Sequence, residues 1–194
     1  MGLKNYLKKI YPLQIAMQGS VGSFNHLAVK KFLAYEDLAY ELLPSGSVEK
    51  VFTDLKMHKA SVGHFAVYNN LAGFVEETLK TAGKEKFEVL GTFEMDIDHF
   101  LLGKAELRSI KKVYSHPHAL KQCSDFLTKL DAEIIEWSDT AQSASDLKDG
   151  IIDHDTSAVI APSICAQLYN LNILSPSIQN TISRTGFWWI RLLN

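Results

Sequence analysis

Apolar and polar residues alternate between two periods along this chain, and the switches between them mark its elements. Leu13 to Met17 is a short apolar run that stops at the turn cluster Gly19-Ser20-Val21-Gly22-Ser23, which reads as a strand running into a loop. Leu27, Ala28, Phe32 and Leu33 then recur at helical spacing behind Ser23, a ready N-cap. The pattern repeats. Tyr40 to Leu43 predicts a strand, Val48 to Lys59 a helix capped by Ser47, Val62 to Tyr68 a strand, and Val75 to Lys80 a helix. Phe87 to Met95 alternates as a strand that Ile97 to Leu102 could extend into a second lobe. Val113 to Ser115 predicts a strand, followed by the helical spacing of Leu120, Cys123, Phe126 and Leu127. Ile134 to Trp137, Thr140 to Leu147, Ala158 to Ala161 and Pro162 to Tyr169 continue the alternation, and Phe187 to Leu193 is a final strand.

Strands alternating with helices predict an α/β fold. The number of units predicts two small three-layer lobes with mixed sheets: residues 1–92 with 172–194, and residues 93–171. Ligands in such folds sit outside the carboxyl ends of strands, where loops meet helix N-termini. Four such loops are rich in small polar groups: Gly19 to Phe24, Asn69 to Gly73, Ser115 to His118, and Ser138 to Thr140. Backbone N–H groups there favour a small anion, although Ser23, Ser115 and Thr140 could each simply cap a helix.

Composition narrows the chemistry. Of 194 residues 46% are hydrophobic and 22% charged, with a net charge of −2. That is a globular balance without the clustered Lys and Arg that nucleic acid requires. No stretch approaches the ~18 uninterrupted apolar residues of a membrane span, and no secretory signal is apparent. Cys123 and Cys165 have no second Cys at ligand spacing, so they read as core residues in a reducing cytoplasm. Of the histidines His64, His99, His116, His118 and His154, only His116 and His118 lie close together, and without a third ligand no metal is expected. Gly19-x-x-Gly22 lacks the third Gly and the Lys of nucleotide-binding loops.

Taken in order, the loops resemble the catalytic region of prephenate dehydratase. Ile15 to Phe24, IAMQGSVGSF, is similar to the family's opening strand and Gly-x-x-Gly-Thr-Phe loop. Val62 to Val75, VGHFAVYNNLAGFV, stands in place of its Pro-Ile-Glu-Asn-Ser segment. Val113 to Cys123, VYSHPHALKQC, resembles Tyr-Ser-His-Pro-Gln-Ala-Leu most closely. Ser138 to Ala144 and Ala158 to Leu171 resemble its Ser-x-Thr-Ala and Ala-x-Ile-Ala segments, and Arg184 to Ile190 falls at Thr-Arg-Phe.

The resemblance implies a cytoplasmic lyase of phenylalanine biosynthesis that takes prephenate to phenylpyruvate with loss of water and carbon dioxide. It implies lobes similar to type 2 periplasmic binding proteins, a homodimer, and no cofactor, nucleic acid or membrane partner. It implies catalytic roles for Thr185, Asn69, Ser115 and Gln122, and substrate binding by Ser23, Phe24, Asn70, His118, Thr140 and Arg184.

Four positions depart from the family. Tyr68 stands for Glu, Asn70 for Ser, His118 for Gln, and Gly186 for the Arg of Thr-Arg-Phe. On an extended segment Arg184 and Gly186 share a face, so Arg184 could serve the vacated place; alternatively Ser183-Arg184 is itself the Thr-Arg pair, two residues early. The departures leave open a non-catalytic small-anion binding relative, or an arogenate dehydratase. The chain stops where the family continues into a regulatory ACT domain, so feedback control of that kind is expected to be absent. For the dimer, Trp188 and Trp189 in tandem on a strand should send one ring outward.

Overall fold

The computed structural model describes residues 3–193. In chain order the elements are α1 (Leu3–Leu7), β1 (Leu13–Gln18), α2 (Phe24–Leu33), β2 (Tyr40–Gly46), α3 (Val48–Lys56), β3 (Val62–Asn69), β4 (Gly73–Phe74), α4 (Glu76–Ala82) and β5 (Phe87–Ile97). They continue with β6 (Phe100–Gly103), a short 3-10 turn at Leu107–Ser109, β7 (Lys112–Ser115), α5 (Pro117–Gln122), α6 (Ser124–Leu127) and β8 (Glu133–Glu136). The last are α7 (Thr140–Lys148), β9 (Ser157–Ala161), α8 (Ile164–Tyr169), β10 (Asn172–Ser175) and β11 (Ser183–Leu192).

The chain divides into two compact units. Residues up to Asp96, together with those from Ser183 onward, form the first, and Ile97–Ile182 the second. The first sheet runs β2-β1-β3-β11-β5, with β4 hydrogen-bonded to β3. β1 pairs in parallel with β2 and β3, whereas β11 runs antiparallel to β3. On one face α3 presents Val48, Val51, Phe52 and Leu55, spaced i, i+3, i+4, i+7, to Phe65, Val67 and Ile190. The approach is close at Gly63, where an added Cβ would fall 2.8 Å from Val51 Cγ1. The opposite face packs Leu7, Val29 and Leu33 on Ile15, Met17 and Trp189. With helices on both sides, β3 is buried over most of its length, which is why it reads as an unbroken apolar run.

The second sheet runs β10-β6-β9-β7-β8, also mixed. β9 is buried at every position. Its core is aliphatic: Leu101, Val113, Ala158 and Ile160 meet Leu120 and Leu127 from α5 and α6.

Several expectations need correcting. Residues 172–182, assigned by sequence to the first lobe, belong to the second unit: β10 is an edge strand paired with β6. Residues 93–96, assigned to the second, complete β5 of the first. The strand expected to run through Ile97 to Leu102 breaks at Asp98 and His99, because Gln179 binds both: its Nε2 donates to Asp98 Oδ1 and its Oε1 accepts from the His99 N–H, each at 2.9 Å. Neither tryptophan faces outward. Trp189 is fully buried, and Trp188 packs on Phe65 and Phe87. Helix α1 was missed; Leu7 is buried in the first core, while Lys4 and Lys8 both reach Glu36.

Candidate functional site

In the first unit the carboxyl end of β3 and the start of β11 meet, since Thr185 pairs with Asn69 and Gly186 with Tyr68. Asn69 is the organising side chain. Its Oδ1 accepts from the Leu71 and Ala72 backbone N–H groups, at 2.9 and 3.0 Å, closing the turn that follows β3. Backbone amides can only donate, so they fix which way the side-chain amide points. Nδ2 is thereby aimed at β11, donating to Ser183 Oγ at 2.6 Å and Thr185 Oγ1 at 2.9 Å. Both hydroxyls are accepting, so each keeps its own proton for another acceptor. Ser183 and Thr185 are both buried, and their spacing of two puts them on one face. Ser183 was not singled out as a site residue beside Thr185, although that spacing is visible in the sequence.

The other face of β11 carries Arg184 and Gly186, as the two-residue period requires. Arg184 Nε donates to Asp96 Oδ1 at 2.8 Å, and that hydrogen bond holds the Asp96 carboxyl below its ordinary range. Arg184 is therefore engaged on β5. A Cβ at Gly186 would sit 3.8 Å from Glu94 Cγ. The ladder irregularity beside Gly186 leaves Val67 of β3 without a partner on β11. Asn70 clasps Arg184: its Oδ1 accepts from the Arg184 N–H at 2.7 Å, and its own N–H donates to the Arg184 carbonyl at 3.0 Å.

At the end of β1, Ser23 caps α2, its Oγ accepting from the His26 N–H. Gly19 and Gly22, at φ of +84° and +93°, shape the loop. His26 Nδ1 accepts from the Gly22 N–H at 3.0 Å, and burial lowers the pKa of this ring. Phe24 opens α2, half-buried.

The second unit handles its candidates differently. Ser115 is fully buried and donates through Oγ to the Ile160 carbonyl at 2.7 Å, tying β7 to β9. It is not a helix cap. That place belongs to His116, whose Nδ1 accepts from the N–H of the exposed His118. Thr140 does not cap either: Asp139 Oδ1 accepts from Ala141 and Gln142, and Thr140 begins the helix. Gln122 Oε1 lies 2.8 Å from Nε2 of His99, a buried ring whose pKa is lowered chiefly by desolvation. His99 as the partner of Gln122 was invisible in sequence, 23 residues away.

Among the described residues no three His, Cys, Asp or Glu side chains group as metal ligands, and no helix is long and apolar enough to cross a membrane. Burial pushes the thiols of Cys123 and Cys165 up to about 12, which makes them poor nucleophiles.

Comparisons with known proteins converge on one family. A model of the prephenate dehydratase family matches residues 15–192. A bifunctional chorismate mutase/prephenate dehydratase of Buchnera aphidicola is 28% identical over 178 residues, covering 89% of this chain and 45% of that protein. The chain thus spans less than half of that relative. Among solved structures, GqqA, described as a novel type of quorum quenching acylase, superposes with a TM-score of 0.81 at 22% identity, over 93% of this chain and 64% of its own. A prephenate dehydratase from Arthrobacter aurescens in complex with L-Phe gives 0.78 at 21% identity, over 94% and 61%. At those identities the structures bear on the fold alone.

Proposed function

This chain belongs to the prephenate dehydratase family, and we propose that it carries the family's reaction, the decarboxylating dehydration of prephenate to phenylpyruvate, with Thr185 as proton donor. The observation that carries this is the Asn69 clamp: the Nδ2 bond of 2.9 Å occupies a lone pair of Thr185 Oγ1 and leaves the hydroxyl proton to be given away. Aromatisation supplies the driving force, so the protein has to position the ring, bind its carboxylates and protonate the departing hydroxyl. A threonine is a poor acid in isolation. As C–O cleavage draws the proton across, negative charge grows on Oγ1, where the Asn69 N–H already points. In this reading Asn69 both directs the proton and stabilises the charge left behind. Of the other assigned residues, Ser23 caps α2, Asn70 fixes β11 and Gln122 is held by His99, while Asp139, beside the assigned Thr140, caps α7.

The second reading, a relative that binds a small anion without turnover, has its own observation. Tyr68 and Gly186 stand directly opposite each other, where the family resemblance puts Glu and Arg, so both charges of one cross-strand pair are replaced together. In this reading Arg184, which donates to Asp96, stays on β5. The test is to incubate purified protein with prephenate, and separately with arogenate, at neutral pH. Phenylpyruvate from prephenate is followed by its absorbance in alkali, against a control without protein because prephenate converts unaided in acid, and phenylalanine, the product that arogenate's amino group dictates, is followed by amino-acid analysis. Turnover that Thr185→Ala abolishes supports the enzyme; inertness toward both substrates with retained binding supports the alternative.

A cytoplasmic setting fits the two buried free thiols. Dimerisation rests on the resemblance alone, since the tryptophans that suggested it are turned inward, and light scattering decides it.

A further inference from the structure

We infer a second ligand site in the first unit, at the opposite end of its sheet from Thr185: a cavity of about 620 Å³ that fits a small organic carboxylate with an apolar tail. The site stands independently of the proposed reaction. Seven residue steps along β11 lead from Thr185 to Leu192 in its lining, about 23 Å of extended chain.

Its polar side chains keep donors to spare. Arg191 uses Nε and Nη2 on Glu88 and Nη1 on the Tyr6 hydroxyl, at 2.7, 2.6 and 3.1 Å. Of its five N–H groups two remain. Tyr6 accepts that bond, so its own O–H proton is available. Ser61 Oγ makes only a 3.5 Å contact, to the Pro12 carbonyl, too long to hold its proton firmly. Lys56 gives one N–H to Glu85 at 2.7 Å and has two more. His58, exposed and with its backbone at φ +53°, lines the same cavity. Among the described residues no Asp or Glu lines the cavity, while Glu85 and Glu88 pair with Lys56 and Arg191. Two cationic side chains and two hydroxyls with protons to give favour an anion. Leu55, Ala60 and Leu192 supply an apolar wall beside them, which a fully hydrated inorganic anion would leave uncovered.

The test is a titration of the 15N-labelled chain with hexanoate, 1-hexanol and inorganic phosphate, read by amide shifts. Hexanoate should give saturable shifts at Tyr6, His58, Ser61 and Leu192, with a dissociation constant about tenfold below that of either control. The paired change Tyr6→Phe with Lys56→Gln should weaken hexanoate about tenfold. His58→Gly suits the left-handed backbone and leaves the fold intact, so it serves if the paired variant unfolds, and it should weaken hexanoate by a smaller factor. Three outcomes would overturn the inference: hexanol matching hexanoate, phosphate matching hexanoate, or shifts absent from this end of the sheet.

Discussion

The two units treat the family's motifs in opposite ways. The second unit carries the stretch most similar to the family, Tyr114-Ser115-His116-Pro117, yet there the polar groups are used for construction: Ser115 ties β7 to β9, and His116 caps α5. The first unit carries the most altered stretch, Tyr68-Asn69-Asn70, and its β3–β11 junction is where two buried hydroxyls keep their protons. Similarity of a motif therefore tracks what the backbone needs as readily as what the chemistry needs. The units also differ in their interiors. The second core is aliphatic, whereas the first stacks His64 on Phe187 at 5.3 Å and sets it edge-on to Trp189 at 4.7 Å.

The sharpest way to break this contrast is at the junction. Thr185→Ala should lower turnover of prephenate by roughly a hundredfold or more with little change in melting temperature, as for loss of a positioned proton donor. Asn69→Ala should lower turnover as well, and also cost about 1–3 kcal/mol of stability, since it strips Leu71 and Ala72 of their acceptor. If Thr185→Ala lowers stability and spares turnover, the hydroxyl is structural and the units are alike.

The next effect lies in the first core. Neither ring nitrogen of His64 has a partner, and burial holds its pKa down to about 3. The unfolded chain takes up this proton near pH 6.5 and the folded chain near pH 3. Stability contributed by the neutral ring is thus complete above pH 6.5 and is lost progressively as pH falls toward 3. His64→Phe keeps a ring against Phe187, removes two unpaired nitrogens, and should raise stability by about 1–3 kcal/mol at pH 7. Denaturant midpoints measured from pH 7 to pH 4 should fall less steeply in that variant than in the parent.

In the second unit, Ser115→Ala should cost about 1 kcal/mol by urea unfolding and leave turnover of the folded protein near the parent value. A hundredfold loss of turnover instead would make Ser115 part of the chemistry and erase the distinction between the units.

These contrasts show what was legible in the sequence. The alternation of periods located nearly every strand and helix, because β3, β9 and α3 are each set by burial, which apolar spacing reports directly. Helix α1 and strands β4 and β10 escaped. The helix is fixed by long-range contacts of Lys4 and Lys8 with Glu36, and the strands by pairing with β3 and β6, neither of which leaves a local pattern. Within the site, Asn69 and Thr185 could be named from the resemblance, but their bond spans 116 residues of chain. The alternative of Thr140 as a simple cap fails because Asp139 and Thr140 are both capable of capping, and only backbone geometry decides between adjacent residues.

The smallest expected effect is at Arg184, where the sequence offered a replacement for the family's Arg. Its guanidinium is bonded to Asp96, and both side chains are about half exposed, so the pair is screened by solvent and Arg184→Ala should leave the melting temperature unchanged. On an extended strand Arg184 also faces away from Thr185, so a substrate seated at Oγ1 has to be held from the other face. The Michaelis constant for prephenate should accordingly stay within about twofold of the parent. A rise of tenfold or more, with kcat unchanged, would mean that the guanidinium leaves Asp96 to bind a substrate carboxylate. Asp96→Asn separates these cases. It frees Arg184 without removing it, and should lower the Michaelis constant only if Arg184 is a ligand that Asp96 holds back.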